Sequence, residues 1–166
     1  MRMLFDAFRS LIYATAFLFL WGYAALWVRQ YDAALGVAFP GWMRPMGIAC
    51  MALGAALAFT CVGTFVVRGR GTPAPFDAPQ KLVAVGPYRW VRNPMYVGGN
   101  TIMVGFALYE HSVAILLLAL ALWLVEHLFV YFYEEPNLRA KFNGSYEEYC
   151  RAVSRWMPRP PRRQAS

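Results

Sequence analysis

Charge is what this chain has least of. Of its 166 residues only 15% are Asp, Glu, Lys or Arg, against 59% hydrophobic. A soluble domain of this length rarely carries so apolar a composition. The polar motifs of several function classes are missing too. The sequence has no Gly-rich nucleotide loop, no catalytic triad and no metal-ligand cluster. It lacks the alternation of strands and helices that a Rossmann-type cofactor fold needs. Cysteine is scarce, and Cys50, Cys61 and Cys150 stand at no metal-binding spacing. A reducing cytoplasm disfavours disulfides between them, so they read as small apolar or incidental residues. No small-residue cleavage site cleanly follows the first apolar run, which therefore reads as a membrane helix and not as a signal peptide.

What the chain does have is long uncharged runs. Residues 10–28, 45–67 and 112–125 carry no charge, and only Glu126 and His127 interrupt the last run before Tyr133. Each reaches or approaches the roughly 20 residues that span a bilayer core as helix. Residues 97–109 are fewer, and form either a tilted partner helix or a span extended by residues 93–96. The expected fold is all-α: a multi-pass membrane bundle of about four transmembrane helices, as one domain over residues 1–158. Residues 10–67 supply the two N-terminal spans. The Pro- and Arg-rich residues 159–166 read as a disordered tail.

The formal net charge is +7. With four spans, the N-terminus, the loop 68–93 and the C-terminal tail share one side. That side carries every Lys and Arg except Arg29 and Arg44. The asymmetry places both termini in the cytoplasm, with a bacterial inner membrane as the expected setting. Topology and contact with anionic lipid account for most of these charges. Nucleic-acid binding is disfavoured, because no soluble domain carries a basic face.

Trp21, Tyr23 and Trp27 read as interface anchors, and Pro40-Gly41-Trp42 as an outer turn. Gly47, Gly54, Ala55, Ala58 and Gly63 would let the second helix pack closely, and Gly98, Gly99 and Gly105 do the same for the third. The prolines and glycines of residues 68–80 exclude regular helix, leaving an exposed linker or a loop folded over a site. Glu110 and His111 mark a tight turn, so the last two spans form an antiparallel hairpin. A helix to Tyr133 or Glu135 is expected next. Past Pro136, Leu138, Phe142, Tyr146, Tyr149 and Val153 recur at amphipathic spacing over residues 137–153, as one cytoplasmic helix or two short ones.

Three constellations could carry chemistry. The first is Gly86-Pro87-Tyr88-Arg89-Trp90-Val91-Arg92-Asn93-Pro94-Met95-Tyr96, directly before an apolar segment. Pro94 suits the first turn of a helix. Arg92 offers a fork of donors for a carboxylate or phosphate, and the helix N-terminus adds free N–H groups. The alternative is that Arg89 and Arg92 only anchor to headgroups. The second is Glu134-Glu135-Pro136, an acidic pair unexpected near a helix C-terminus on the basic side. It could bind ribose hydroxyls or a cation, or pair with Arg89, Arg92 or Arg139. The third is Glu126 and His127 inside the last span, where ionisable groups face protein or water. Either a polar face runs from Glu126 past Val130 and Tyr133 to Glu134, or these residues pair with Asn100, Thr101 or a backbone carbonyl.

At these residues the chain resembles the isoprenylcysteine carboxyl methyltransferase and phospholipid methyltransferase superfamily of membrane enzymes. One part of the likeness is Lys81-Leu82-Val83, then Gly86-Pro87-Tyr88-Arg89 and Arg92-Asn93-Pro94-Met95-Tyr96, similar to the family's G-P-Y-R…R-H-P-x-Y signature. The other is Glu134-Glu135-Pro136-x-Leu138 with Phe142, Tyr146, Tyr149, Val153 and Pro158, similar to its E-E-x-x-L…F-G-x-x-Y ending. The two cover residues 81–158 in the expected order. The resemblance implies S-adenosylmethionine as methyl donor; the residues themselves offer no metal spacing, so no metal is expected. Leu82, Gly86, Pro87, Tyr88, Asn93, Pro94, Tyr96 and Glu135 would line the cofactor pocket. Arg92, Glu134 and Glu135 would be the catalytic residues: Arg92 orienting the acceptor or an anionic group, a glutamate helping to position it. The acceptor would be amphipathic, isoprenoid-like or a lipid, met at the cytoplasmic face of the bilayer.

Two departures bear on the chemistry. Asn93 replaces the family's histidine, which keeps hydrogen bonding but removes a protonatable imidazole. Asn143 replaces the glycine after Phe142, which requires a left-handed turn there. Two other readings stay open: an NADPH-dependent membrane reductase of related fold, and a non-catalytic membrane subunit or transporter.

Overall fold

Backbone meets backbone where this bundle is tightest. The structure, a computed structural model, describes residues 2–64, 67 and 82–158. In chain order its α-helices are α1 (Arg2–Val28), α2 (Asp32–Leu35), α3 (Arg44–Thr64), α4 (Pro94–Tyr109), α5 (Val113–Phe129), α6 (Glu135–Phe142) and α7 (Gly144–Ala152). Among the described residues the only extended pairing is one isolated bridge, Ala38 with Ser112, so the all-α expectation holds. The linker over residues 68–80, Lys81 and the tail 159–166 lie outside the described residues.

α3 and α4 run antiparallel, and four glycines form the seam. Gly47 faces Gly105, and Gly54 faces Gly98. A Cβ on Gly54 would sit 2.6 Å from the Gly98 carbonyl oxygen, and one on Gly47 would sit 2.6 Å from that of Gly105. Without a side chain on either helix, the backbones approach closely and dispersion contacts replace the missing hydrophobic drive in lipid. Gly63 and Gly99, expected to share this role, face open space.

The other packing centre joins three helices. Ala25 of α1, Met103 and Ala107 of α4, and Ile115, Ala119 and Leu122 of α5 are buried together. Trp21 and Val28 flank Ala25 at helical spacing and pack on the same cluster. That register turns Trp21 inward, unlike Tyr23 and Trp27, which stay exposed as anchors would. At this end of the bundle the first connection is tied to the α4–α5 turn. Asp32 Oδ1 accepts from Ala114 N at 2.8 Å, Ser112 Oγ accepts from Ile115 N at 3.0 Å, and Arg29 pairs with Glu110 at 2.6 Å. The first two satisfy N–H groups that an uncapped α5 would leave without partners.

Among the described residues, two helical stretches are long and apolar enough to cross a membrane by themselves: the 24 residues Gly41–Thr64 and the 30 residues Val113–Phe142. α4 has 16 residues, roughly 24 Å of rise against a bilayer core of about 30 Å. The second stretch corrects an expectation. The helix does not stop before Pro136 but passes through it into α6 by way of a π turn, Val130–Glu134. Glu135 N–H bonds to Val130 O there, five residues back. The wider turn makes room for the Pro136 ring, which in a regular helix would crowd the carbonyl four residues earlier.

The glycine seam makes a graded prediction. Gly54→Ala and Gly105→Ala should each destabilise the detergent-solubilised protein by about 1–3 kcal/mol, because backbone must move to admit the methyl group. Gly99→Ala should be neutral or slightly stabilising, since its space is open and alanine is the better helix former. Thermal unfolding of the three variants checks the order.

Candidate active site

The polar residues gather at the opposite end of the bundle from Arg29 and Arg44. Val85 leads into a 3-10 turn, Gly86–Arg89, entered with Gly86 at φ 59°. A left-handed residue favours glycine there. The turn sets Tyr88 against Cys61 and Val83 in a small core. Burial pushes the Tyr88 phenol well above its ordinary pKa, so it stays neutral. Pro94 then opens α4, as its fixed φ and missing N–H predict.

The chain's last described segment closes over this entrance. Arg92 N donates to Ser154 O at 2.9 Å, and Asn93 Nδ2 donates to Arg155 O at 3.2 Å. Tyr149 Oη, whose pKa burial also raises, donates to Tyr88 O at 2.7 Å. The Asn93 amide is thus committed to a backbone carbonyl, a task that needs a donor and no titration.

Glu135 is the centre of the cluster. It is 2% exposed and meets three arginines from three parts of the chain. Arg155 binds it with two bonds, Nε to Oε1 at 2.7 Å and Nη2 to Oε2 at 3.0 Å. Arg92 approaches Oε1 at 3.2 Å and Arg139 approaches Oε2 at 3.3 Å. Arg139 also pairs with Glu147 at 3.0 Å. Three guanidinium groups against two carboxylates leave the cluster one positive charge in excess. Arg92 Nη1 donates to Cys150 Sγ, yet its buried Nε finds no acceptor among the described residues. An unmet charged donor of this kind suits an anionic ligand.

Glu134 is engaged differently. Tyr96 Oη donates to its Oε2 at 3.2 Å, and no arginine pairs with it among the described residues. One helical turn along α4, Asn100 Nδ2 donates to Glu126 Oε2 and to Tyr96 O. His127 accepts from Trp156 Nε1 at 2.9 Å, and the Trp156 ring stands near those of Tyr96, Trp123 and His127. Gly86 lies apart from these contacts. It lines an open groove of about 450 Å³ with Thr60, Gly63, Thr64, Val67 and Val85, within the usual range of ligand clefts.

The structure therefore brings Arg92, Asn93, Tyr96, Glu134 and Glu135 to one place, with Pro94 fully buried behind them. Leu82 and Pro87 are half-buried and outside the polar contacts. Sequence reasoning missed Arg155, Trp156 and Cys150 as partners of this site. The one signal available was an Arg-Trp pair directly after an amphipathic helix.

The family assignment follows from the sequence that builds this arrangement. An apolar helical bundle with a charged cluster at one end of a hairpin is a membrane protein with a polar site. The family model for phospholipid methyltransferases matches residues 42–145, from the start of α3 through Glu135 to the first turn of α7. The chain belongs to that family, and so to the membrane enzymes that transfer methyl groups. No curated protein and no solved structure matches it.

The site yields two stability predictions. Glu135→Ala should cost about 3–5 kcal/mol, because arginines are left facing one another without their shared carboxylate. Asn143, which links α6 to α7, has φ 45° and ψ −129°. That has the positive φ expected of a glycine replacement, but not the left-handed helical ψ that asparagine tolerates. Asn143→Gly should therefore stabilise the protein by roughly 1 kcal/mol. Thermal unfolding in detergent measures both.

Proposed function

We propose that this protein transfers a methyl group from S-adenosylmethionine to an amphipathic, isoprenoid-like or lipid acceptor at the cytoplasmic face of the membrane. The observation that carries the reading is the charged cluster built around Glu135 at the entrance to the α4–α5 hairpin. The cofactor would supply a methyl group already activated on a positively charged sulfur. The protein then needs chiefly to align, to exclude water and to hold charges in place.

The residues fit such a group. Arg92 Nε is a buried donor without a partner, suited to an amino-acid carboxylate. Glu134 has no basic partner among the described residues, so it can answer an ammonium or a ribose hydroxyl, steadied by Tyr96. Gly86 and the threonines of α3 border an open groove beside the entrance turn. Glu135 positions Arg92 from behind, with Arg139 and Arg155 sharing its charge. Asn93 ties the entrance to the C-terminal segment and moves no proton. α1 and α3 supply apolar surface for the acceptor.

The cytoplasmic placement rests on charge. Arg89, Arg92, Arg139, Lys141, Arg151 and Arg155 all belong to the segments at the site's end of the chain's hairpin, while Arg29 and Arg44 bond near the far turn. A positive-inside orientation puts the site where a soluble cofactor is available.

Calorimetric titration of the detergent-purified protein with S-adenosylmethionine tests the reading. Saturable binding is expected, weakened roughly 10-fold or more in Arg92→Ala and in Glu134→Gln, the loss of one charge-assisted bond. An absence of heat from a protein that still melts cooperatively overturns it, as does saturable binding of NADPH in its place.

A further inference from the structure

Val153 is the last buried residue among those described, and residues 154–157 leave it without regular secondary structure. They form a short strap. Ser154 Oγ donates to Met157 O, which folds the strap on itself. Its backbone is tied to the bundle where Ser154 O and Arg155 O accept from Arg92 N and Asn93 Nδ2. Two adjacent side chains hold it as well. Arg155 grips Glu135 with bonds of 2.7 and 3.0 Å, and Trp156 Nε1 donates to His127 Nδ1 at 2.9 Å.

These two side chains reach different places. Glu135 belongs to the charged cluster, whereas His127 stands eight residues earlier on the same continuous helical stretch, roughly 12 Å nearer the middle of the span. Trp123, His127 and Tyr131 recur every fourth residue as one stripe, and the strap lies along it. The Arg155 guanidinium is 5.3 Å from the Tyr131 ring, and the Trp156 ring is 5.9 Å from that of His127 and 6.2 Å from that of Trp123. Leu120 and Leu124, beside the stripe, are 54% and 51% exposed, so this face of α5 meets lipid. From α4, the Tyr96 ring approaches Trp156 at 6.3 Å. Trp156 therefore bridges α4 and α5 on their lipid side, next to the Tyr96 hydroxyl that holds Glu134.

As it stands, the strap closes the site. Arg92 Nε is buried without an acceptor, and Ser154 O sits on the N–H of that same residue. A ligand can meet this donor only if a covering segment shifts. α6 and α7 are regular helices, whereas the strap is irregular and leans on a few polar bonds. Segments of that kind open at the lowest cost. Arg155 and Trp156 are neighbours, with Cα atoms about 3.8 Å apart, so neither moves far without the other.

Resting on the methyl-transfer reading above for what passes through it, we infer that residues 154–157 are a gate on the lipid side of the bundle, latched to the charged cluster. Release of Arg155 from Glu135 lifts Trp156 from His127 and opens a path from the bilayer to Tyr96 and Glu134. One strap thus ties access from the lipid to the state of the ion pairs at the aqueous end.

A lipid-soluble carbodiimide reads the gate. Membranes containing the protein are treated with dicyclohexylcarbodiimide, which couples to carboxyl groups it can reach from the bilayer, and adducts at Glu134 are followed by peptide mass spectrometry. The wild type should label slowly. Trp156→Ala should raise the rate at Glu134 by ~10-fold or more, and so should Arg155→Gln, which leaves Trp156 and His127 in place and removes only the latch. Trp156→Phe keeps a ring and loses the N–H, and it carries the test should the alanine variant melt early. Labelling of the wild type as fast as the Trp156 variants overturns the gate, and a wild-type rate in Arg155→Gln overturns its coupling to the cluster. A rise seen only with a water-soluble carbodiimide also overturns the inference, since the strap then shields the site from water and not from lipid. The labelling uses no cofactor, so the two readings fail separately. Unchanged labelling in variants of a protein that binds S-adenosylmethionine removes the gate alone. Gated labelling without cofactor binding removes the methyl-transfer reading and leaves the gate.

Discussion

Glu135 brings together what the sequence keeps apart. Arg92 stands before α4, Arg139 lies one turn along α6, and Arg155 follows α7. A single buried carboxylate with two oxygens can meet several guanidinium forks, and here it does so at 2.7–3.3 Å. Desolvating such a group is expensive, so the arrangement tolerates little slack: the arginines are held at fixed positions or the carboxylate is stranded. Arg92 is pinned in this way with one donor still unspent. Preorganisation of that kind is what an alignment-driven reaction asks of its protein.

The node depends in turn on the frame that delivers it. The glycine seam holds α3 against α4, and the capped turn at Ser112 holds α4 against α5. These two contacts fix where Asn93 begins α4 and where Glu134 leaves the π turn. Without the π turn, Pro136 would end the helix, and Glu135 would lose the rigid element that carries it toward Arg92. Polar contacts lie at both ends of the bundle, and between them Glu126 and Asn100 are an acidic and amide pair held at span depth.

Much of this was legible in the sequence, for identifiable reasons. Uncharged runs announced the helices, and Pro94 the start of α4, since each is a local physical constraint. The small residues of α3 and α4 announced close packing, but not which of them meet. Gly47, Gly54, Gly98 and Gly105 lie on the seam, while Gly63 and Gly99 do not, because facing depends on how the helices cross. Competing partners for Glu135 and Glu126 could be named but not chosen among. The choice was made by a fold-back that no periodicity records: residues 154 and 155 return to residues 92 and 93 through backbone carbonyls. For the same reason Arg155 was legible only as half of an Arg-Trp pair, with no sign of its partner. The passage of the helix through Pro136 was hidden too, because a π turn has no composition of its own.

The central claim is that the charged node and the membrane-buried face serve one reaction, moving a methyl group from water-soluble donor to lipid-phase acceptor. The most direct measurement supplies membranes containing the protein with S-adenosylmethionine labelled in its methyl group, and follows the label into the organic-extractable fraction. The account predicts time-dependent label in that fraction, abolished by Arg92→Ala. Label that stays wholly in the aqueous phase, from protein shown to bind the cofactor, would contradict it.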